Sequence, residues 1–169
     1  MSQEMNPTLD SLISRAEKLA RAGDKQGALS LANQLVAQHP DEMKVWSLRA
    51  YLHGRERDYA GAIADLSTAI RINPMEPSLF CNRGQDHLSL GDYEATLIDC
   101  GKGLDLCDHY DNDYYRESLM CIRAEAFIGL GRRDEALADL AGVRDGLKFW
   151  TNRLRTKKEM VAECLRLPA

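Results

Sequence analysis

Apolar residues recur three and four positions apart along almost the whole chain, and the strict alternation of a half-buried strand is absent. The pattern predicts helices over about 7–22, 25–38, 42–55, 59–72, 77–89, 93–107, 115–129 and 133–146. The breaks between them recur in turn. Gly23-Asp24, Arg57-Asp58 and Gly91-Asp92 stand 34 residues apart, and Gly131 follows 40 residues after Gly91. A period of this length implies stacked helical hairpins, each unable to bury its apolar face alone.

With units beginning at Leu9, Met43, Pro77 and Glu117, the register is tight. The eighth place is tiny (Ala16, Ala50, Gly84, Ala124) and the twentieth is small (Ala28, Ala62, Thr96, Ala136). Small residues on facing helices let two backbones approach closely while neighbouring bulk fills the gaps. The fourth place is large and apolar: Leu12, Trp46, Phe80, Met120. Pro40 and Pro74 close the first two units, where a helix must stop. Asn6-Pro7 reads as an N-cap followed by proline at the first helical position. Arg57 stands where the other units place glycine to end a helix, a substitution expected to cost about 1 kcal/mol. After the fourth hairpin the repeat stops. Thr156-x-x-Glu159 is a capping-box signature and predicts a last helix over about 156–167, with Lys157, Lys158, Glu163 and Arg166 outward. Such a helix would cover the open end of a stack.

Composition narrows the function. At 169 residues and 44% apolar content the chain is too hydrophobic for disorder and is expected to be one domain, 1–169, with a full core. No apolar run approaches the roughly 20 residues of a membrane helix. The start lacks the basic and apolar regions of a secretory signal, so a cytoplasmic location without membrane attachment is expected. The net charge of −4 disfavours nucleic acid, which draws its affinity from a basic face. Five cysteines with no C-x-x-C pair point to reduced, packed thiols rather than a disulfide framework or metal site.

Trp46, Ala50, Asp58-Tyr59, Ala62, Ala69 and Pro74, followed by Phe80, Gly84 and Gly91-Asp92-Tyr93, resemble the tetratricopeptide repeat. The resemblance covers about 9–148, in units of about 9–42, 43–76, 77–110 and 117–148. Gly103 and Val143 depart from the small alanine usual late in the second helix, and Asp108 stands where Pro40 and Pro74 do. The resemblance implies an all-α solenoid of four hairpins with a C-terminal capping helix. Its concave surface, lined by the first helix of each hairpin, would hold a partner protein or peptide. The family's inward places give Asp10, Ile13, Glu17 and Arg21 in unit one, and Lys44, Ser47, Leu48, Tyr51 and Arg55 in unit two. Unit three gives Ser78, Cys81, Asn82, Gln85 and Ser89, and unit four Ser118, Cys121, Ile122 and Glu125. Tyr51 is the expected anchor, since tyrosine buries area and keeps a hydrogen bond. A chaperone carboxylate clamp is disfavoured, because Ile13, Glu17, Leu48 and Ser78 stand where its basic and amide groups would be needed.

Three constellations carry rival readings. The seventh place is always arginine: Arg15, Arg49, Arg83, Arg123. The column either grips an acidic partner or, as Asp65, Asp99 and Asp139 at the twenty-third place favour, ties the two helices of each hairpin together. His53 and His87 share the eleventh place and read as packed histidines, no third metal ligand standing at useful spacing. The stretch 105–115, where the spacing grows, carries Asp105, Asp108, Asp111 and Asp113 with three tyrosines. It is either a solvated corner of an extended helix pair or a binding insertion. Opposite in charge are Arg144, Lys148, Arg153, Arg155, Lys157 and Lys158, so charge would permit self-association. No phosphate loop, nucleophile elbow or zinc-protease helix is present, and no cofactor is implied. The expectation is a non-enzymatic protein-binding module. The alternative is an immunity protein that blocks a toxin or effector, with the acidic corner mimicking a nucleic-acid substrate.

Overall fold

The structure, a computed structural model, describes residues 7–111, 114–146, 148–150 and 153–168. The chain divides into two compact units, Met1–Ile72 and Asn73–Ala169. In the first, α1 (Leu9–Arg21) pairs with α2 (Lys25–Gln38), and α3 (Met43–Arg55) with α4 (Tyr59–Ile72). In the second, α5 (Pro77–Leu90) pairs with α6 (Tyr93–Tyr110), and α7 (Arg116–Gly129) with α8 (Arg133–Ala141). A ribbon of β1 (Lys148–Trp150) and β2 (Leu154–Thr156) then leads into α9 (Lys157–Cys164). The fold is an all-α solenoid of antiparallel hairpins.

The small places hold the hairpins together as their register predicts. Ala16, Ala28, Ala62, Thr96, Ala124 and Ala136 are fully buried, and Gly84 lies so near Cys100 that an added Cβ would stand 3.2 Å from its sulfur. Gly103 has the same role further along. A Cβ there would meet Leu119 at 2.8 Å, so the missing methyl is what lets α7 pack onto α6.

Both members of each Gly-Asp breaker have a task. The glycines adopt left-handed backbone (Gly23 φ 89°, Gly91 φ 77°), and the aspartates cap the next helix. Asp24 accepts from the Gly27 amide at 2.9 Å, Asp58 from Gly61 at 3.0 Å and Asp92 from Ala95 at 3.2 Å. Arg57 is forced into the same conformation at φ 62°, which for a residue with a Cβ costs about 1–2 kcal/mol. Arg57→Gly is therefore expected to raise the melting temperature by about 2–4 °C, since glycine also loosens the unfolded chain and returns part of the gain. Calorimetry checks this directly.

Some boundaries differ from the sequence expectation. Asn6 lies outside the described residues, and the cap of α1 is Thr8, whose hydroxyl accepts from the Ser11 amide at 3.3 Å. Pro7 thus precedes the cap instead of opening the helix. The fourth hairpin's second helix stops at Ala141 rather than near 146, because Gly142 closes it and Gly146 turns the chain at φ 81°. The ribbon that follows pairs Lys148 with Thr156 and Phe149 with Arg155. Thr156 and Glu159 do form the capping box, though α9 ends at Cys164.

The first unit has its core around Leu35, Val45, Leu48 and Leu52. The second has two clusters, one built on Leu88, Leu104 and Leu119, the other on Ile128, Leu140, Met160 and Cys164. All five cysteines are buried, and burial pushes the Cys81 and Cys121 thiols up to about 12. Titration of the native protein with a thiol reagent is expected to give no fast-reacting group, and all five only in denaturant. One fast native thiol would contradict the packing. Among the described residues no helix is long and apolar enough to cross a membrane.

Candidate partner-binding faces

The arginine column resolves into clasps within hairpins. Arg49 Nε and Nη2 donate to Asp65 at 2.8 and 2.7 Å. Arg83 grips Asp99 at 2.8 and 2.7 Å, and Arg123 grips Asp139 at 2.8 and 2.6 Å. The spacing of 16 residues joins the two helices of one hairpin each time, and the three aspartates are buried. Arg15, with Leu31 where the aspartate would be, is exposed and makes no ion pair among the described residues. Three of the four arginines are thus engaged within their own hairpins.

The histidines extend two of these clasps. His53 Nδ1 lies 2.8 Å from Asp58, and its Nε2 lies 3.8 Å from Asp65. His87 sits between Asp92 and Asp99 at 3.6 and 3.9 Å. His53 is thus held by the turn cap beside its clasp, whereas the His87 Nδ1 is buried without a hydrogen-bond partner among the described residues. Among the described residues no three metal-ligating side chains come together.

In the first unit, the inward face of α3 is open. Tyr51 is 44% exposed, and Arg55 Nη1 donates to its hydroxyl at 3.0 Å while the guanidinium lies 5.7 Å from the ring centre. Lys44 is exposed and pairs with Asp10 at 3.0 Å, and Ser47 spends its hydroxyl on the Met43 carbonyl at 3.2 Å. Leu48 turns into the core. The arrangement offers an aromatic edge with an oriented cation, flanked by charges already paired.

In the second unit, Asn82 is exposed, while Ser78, Gln85 and Ser118 are half-buried. Burial raises the Tyr115 phenol above its usual range, and the nearby Ser78 hydroxyl holds it down in part. Two residues expected on this face are not available. Ile122 is core, at 3% exposure, and Glu125, at 7%, is held by Arg155. Arg155 Nη1 reaches both Glu125 oxygens at 2.7 and 2.6 Å, and Nη2 reaches Glu163 at 2.6 Å. Burial works to lower this guanidinium's pKa, and the bonds from Glu125 and Glu163 outweigh it. The ninth place, open at Tyr51, is thus closed at Glu125 by the chain's own ribbon. Cys81 and Cys121 are buried as well.

The acidic corner is the end of an extended helix. Asp108 is exposed and takes up Arg116 at 2.6 Å, and Asp111 caps α6 with a left-handed backbone at φ 50°. Tyr114 stands 81% exposed, edge-on to Tyr115 at 4.8 Å. Asp113 lies outside the described residues. The basic end is largely neutralised: Arg144 pairs with Glu117, Arg153 with Glu163, and Lys157 with Asp145. Lys157 also donates to the Val143 carbonyl at 2.7 Å, so it is half-buried rather than outward.

Asp86, on α5, went unremarked in the sequence. It is half-buried, and among the described residues it makes no hydrogen bond or ion pair. Burial pushes its carboxyl up to about 7.

Comparisons with known proteins agree with this architecture. No family model matches. A rice "Protein SGT1 homolog" (Oryza sativa subsp. japonica) is 34% identical over 65 residues, 38% of this chain and 18% of that protein. Human "Sperm-associated antigen 1" is 29% identical over 85 residues, 50% of this chain and 8% of that protein. The matched stretches are thus small parts of much longer relatives. Among solved structures, the TPR2B domain of yeast Sti1, in complex with pHsp70, superposes with a TM-score of 0.65 at 14% identity, over 69% of this chain and 94% of that domain. The thermophilic TPR protein TTC0263 of Thermus thermophilus gives 0.65 at 23%, over 82% and 73%. The protein MamA gives 0.68 at 16%, over 80% and 70%.

Proposed function

We propose, for a chain that has the tetratricopeptide-repeat fold, that it is a non-enzymatic module binding a partner protein or peptide along the first helices of its repeats. The observation that carries this is the Tyr51–Arg55 pair on α3. An exposed ring with its hydroxyl and a guanidinium already oriented presents large contact area at little ordering cost. Such residues are over-represented among those that dominate interface energies. The yeast Sti1 domain of the same fold is a partner-binding precedent, since its structure is that of a complex with pHsp70. In the second unit, the exposed Asn82 on α5 and the half-buried Ser118 on α7 offer polar contacts of their own. Glu125 and Ile122 offer none.

The test is photo-cross-linking in native lysate, with benzoylphenylalanine at Tyr51, at Asn82, and at Ile98 on the outer side of α6 as control. A single protein joined at the first two positions and absent at the third is the expected result. Tyr51→Ala should then weaken binding of that purified partner by about tenfold or more, as loss of an interface anchor does. Equal labelling at all three positions would sink the proposal.

A further inference from the structure

The glycine that ends the first helix of a repeat is replaced once. Gly23, Gly91 and Gly131 take up left-handed backbone at φ 89°, 77° and 72°, and Arg57 is held in the same conformation at φ 62°. A residue with a Cβ adopts that conformation at a cost in stability, so helix termination does not account for the arginine. Two residues earlier stands Arg55. At the corresponding places of the first repeat, Arg21 is neutralised by Glu17 at 2.9 Å. In the second repeat the ninth place is Tyr51 instead, and its hydroxyl orients Arg55 at 3.0 Å without cancelling the charge. Arg55 and Arg57 are both exposed, and neither makes an ion pair among the described residues. The acids beside them are already taken: Glu56 by Lys25 at 2.8 Å, and Asp58 by the Gly61 amide at 3.0 Å and His53 at 2.8 Å.

From these two departures, both in one repeat, we infer that the C-terminal end of α3 receives an acidic segment of the partner. A glutamate or aspartate side chain lies against Tyr51 and Arg55, and a neighbouring acid comes within reach of Arg57. The inference rests on the protein-binding reading above and gives that partner its chemistry. The Tyr51 hydroxyl accepts from Arg55, so its own proton is left to donate outward, as are the remaining guanidinium N–H groups. The pair therefore offers mainly donors and a positive charge, the complement of a carboxylate, which offers only acceptors and a negative one. A lysine or arginine at the same spot would meet two like charges, and a glutamine would bring no charge to answer them, so the site discriminates by charge.

The experiment is a 15N NMR titration of the full chain with three glycine–serine nonapeptides, acetylated and amidated at their ends, that carry two glutamates, two glutamines or two lysines at the centre. Blocked ends make side-chain carboxylates the only anions the peptides bring. The glutamate peptide is expected to shift the amides of 51–57, and the other two to leave them in place. Arg55→Gln should weaken the glutamate peptide by about tenfold, the worth of one charge-assisted contact. Arg57→Gly should weaken it by about threefold while raising the melting temperature, a combination that a merely structural arginine would not give. Arg71→Gln, which removes an exposed cation elsewhere in the same unit, should leave it unchanged. Equal binding of glutamate and glutamine peptides, wild-type affinity in either α3 variant, equal loss in Arg71→Gln, or no shift at 51–57 each overturns the inference. The two proposals fail separately. A cross-linked partner that loses affinity with Tyr51→Ala but keeps it with Arg55→Gln and Arg57→Gly removes the acidic segment and leaves the module. Absence of any partner at Tyr51 and Asn82 removes the module itself.

Discussion

Arg155→Met is expected to lower stability by about 3–5 kcal/mol, the cost of stranding a buried charge. In a chain of this length that is a fall of roughly 10 °C in melting temperature. Only 4% of the Arg155 side chain and 8% of the Glu125 side chain are exposed, so removing the arginine leaves a carboxylate with neither water nor a counter-ion. The loss should be local before it is global. Arg155 ties β2 to α7 through Glu125 and to α9 through Glu163 and the Glu159 carbonyl. Hydrogen exchange should therefore show α9 losing protection first, while α5 and α6 keep theirs. Two further variants separate charge from packing. Glu125→Gln keeps the shape and leaves Glu163 to Arg155, and should cost about 1–2 kcal/mol. Arg155→Met combined with Glu125→Leu should recover most of the loss, because an apolar pair of similar volume replaces the ion pair without desolvating a charge. If Arg155→Met alone costs less than about 1 kcal/mol, the ribbon is held by its apolar contacts and the ion pair adds little.

That pair marks where the sequence stops being readable. The hairpins were legible because their signals recur: small residues at the eighth and twentieth places of all four, Asp24, Asp58 and Asp92 after the first three turns, and arginine sixteen residues before aspartate in the last three. A repeat states the same constraint several times, and coincidence is filtered out. The ribbon occurs once. Its strands are three residues each, too short for period-two alternation to emerge. The burial of Glu125 was invisible for a related reason. Its partner is 30 residues away in an element outside the register, so family places alone put it on the open face. Asp86 went unremarked because only packing distinguishes a fully solvated carboxylate from a half-buried one. The cap of α1 failed on local ambiguity, since Asn6 and Thr8 flank the same proline and both are good caps.

The hairpin clasps carry the second large effect, and it should be asymmetric. In the third repeat the Asp99 side chain is 3% exposed and the Arg83 side chain 21%. Arg83→Met leaves the deeper charge unpaired and is expected to cost about 3–5 kcal/mol. Asp99→Leu leaves a guanidinium that already reaches water and lies 6.0 Å from the Phe80 ring centre, so it should cost less, about 2 kcal/mol. The double replacement should fall near the wild type, within about 1–2 kcal/mol, and give a large coupling energy in a double-mutant cycle. The first repeat already carries half of that experiment. Leu31 stands in the aspartate place and packs against the core, and Arg15 opposite it is exposed without an ion pair among the described residues. The first hairpin therefore closes on apolar packing without a clasp. Denaturant unfolding of the three variants decides the point. Equal costs for the two single replacements would mean that both charges are equally solvated, and a double variant as unstable as Arg83→Met would mean that the clasp has no apolar substitute in this repeat.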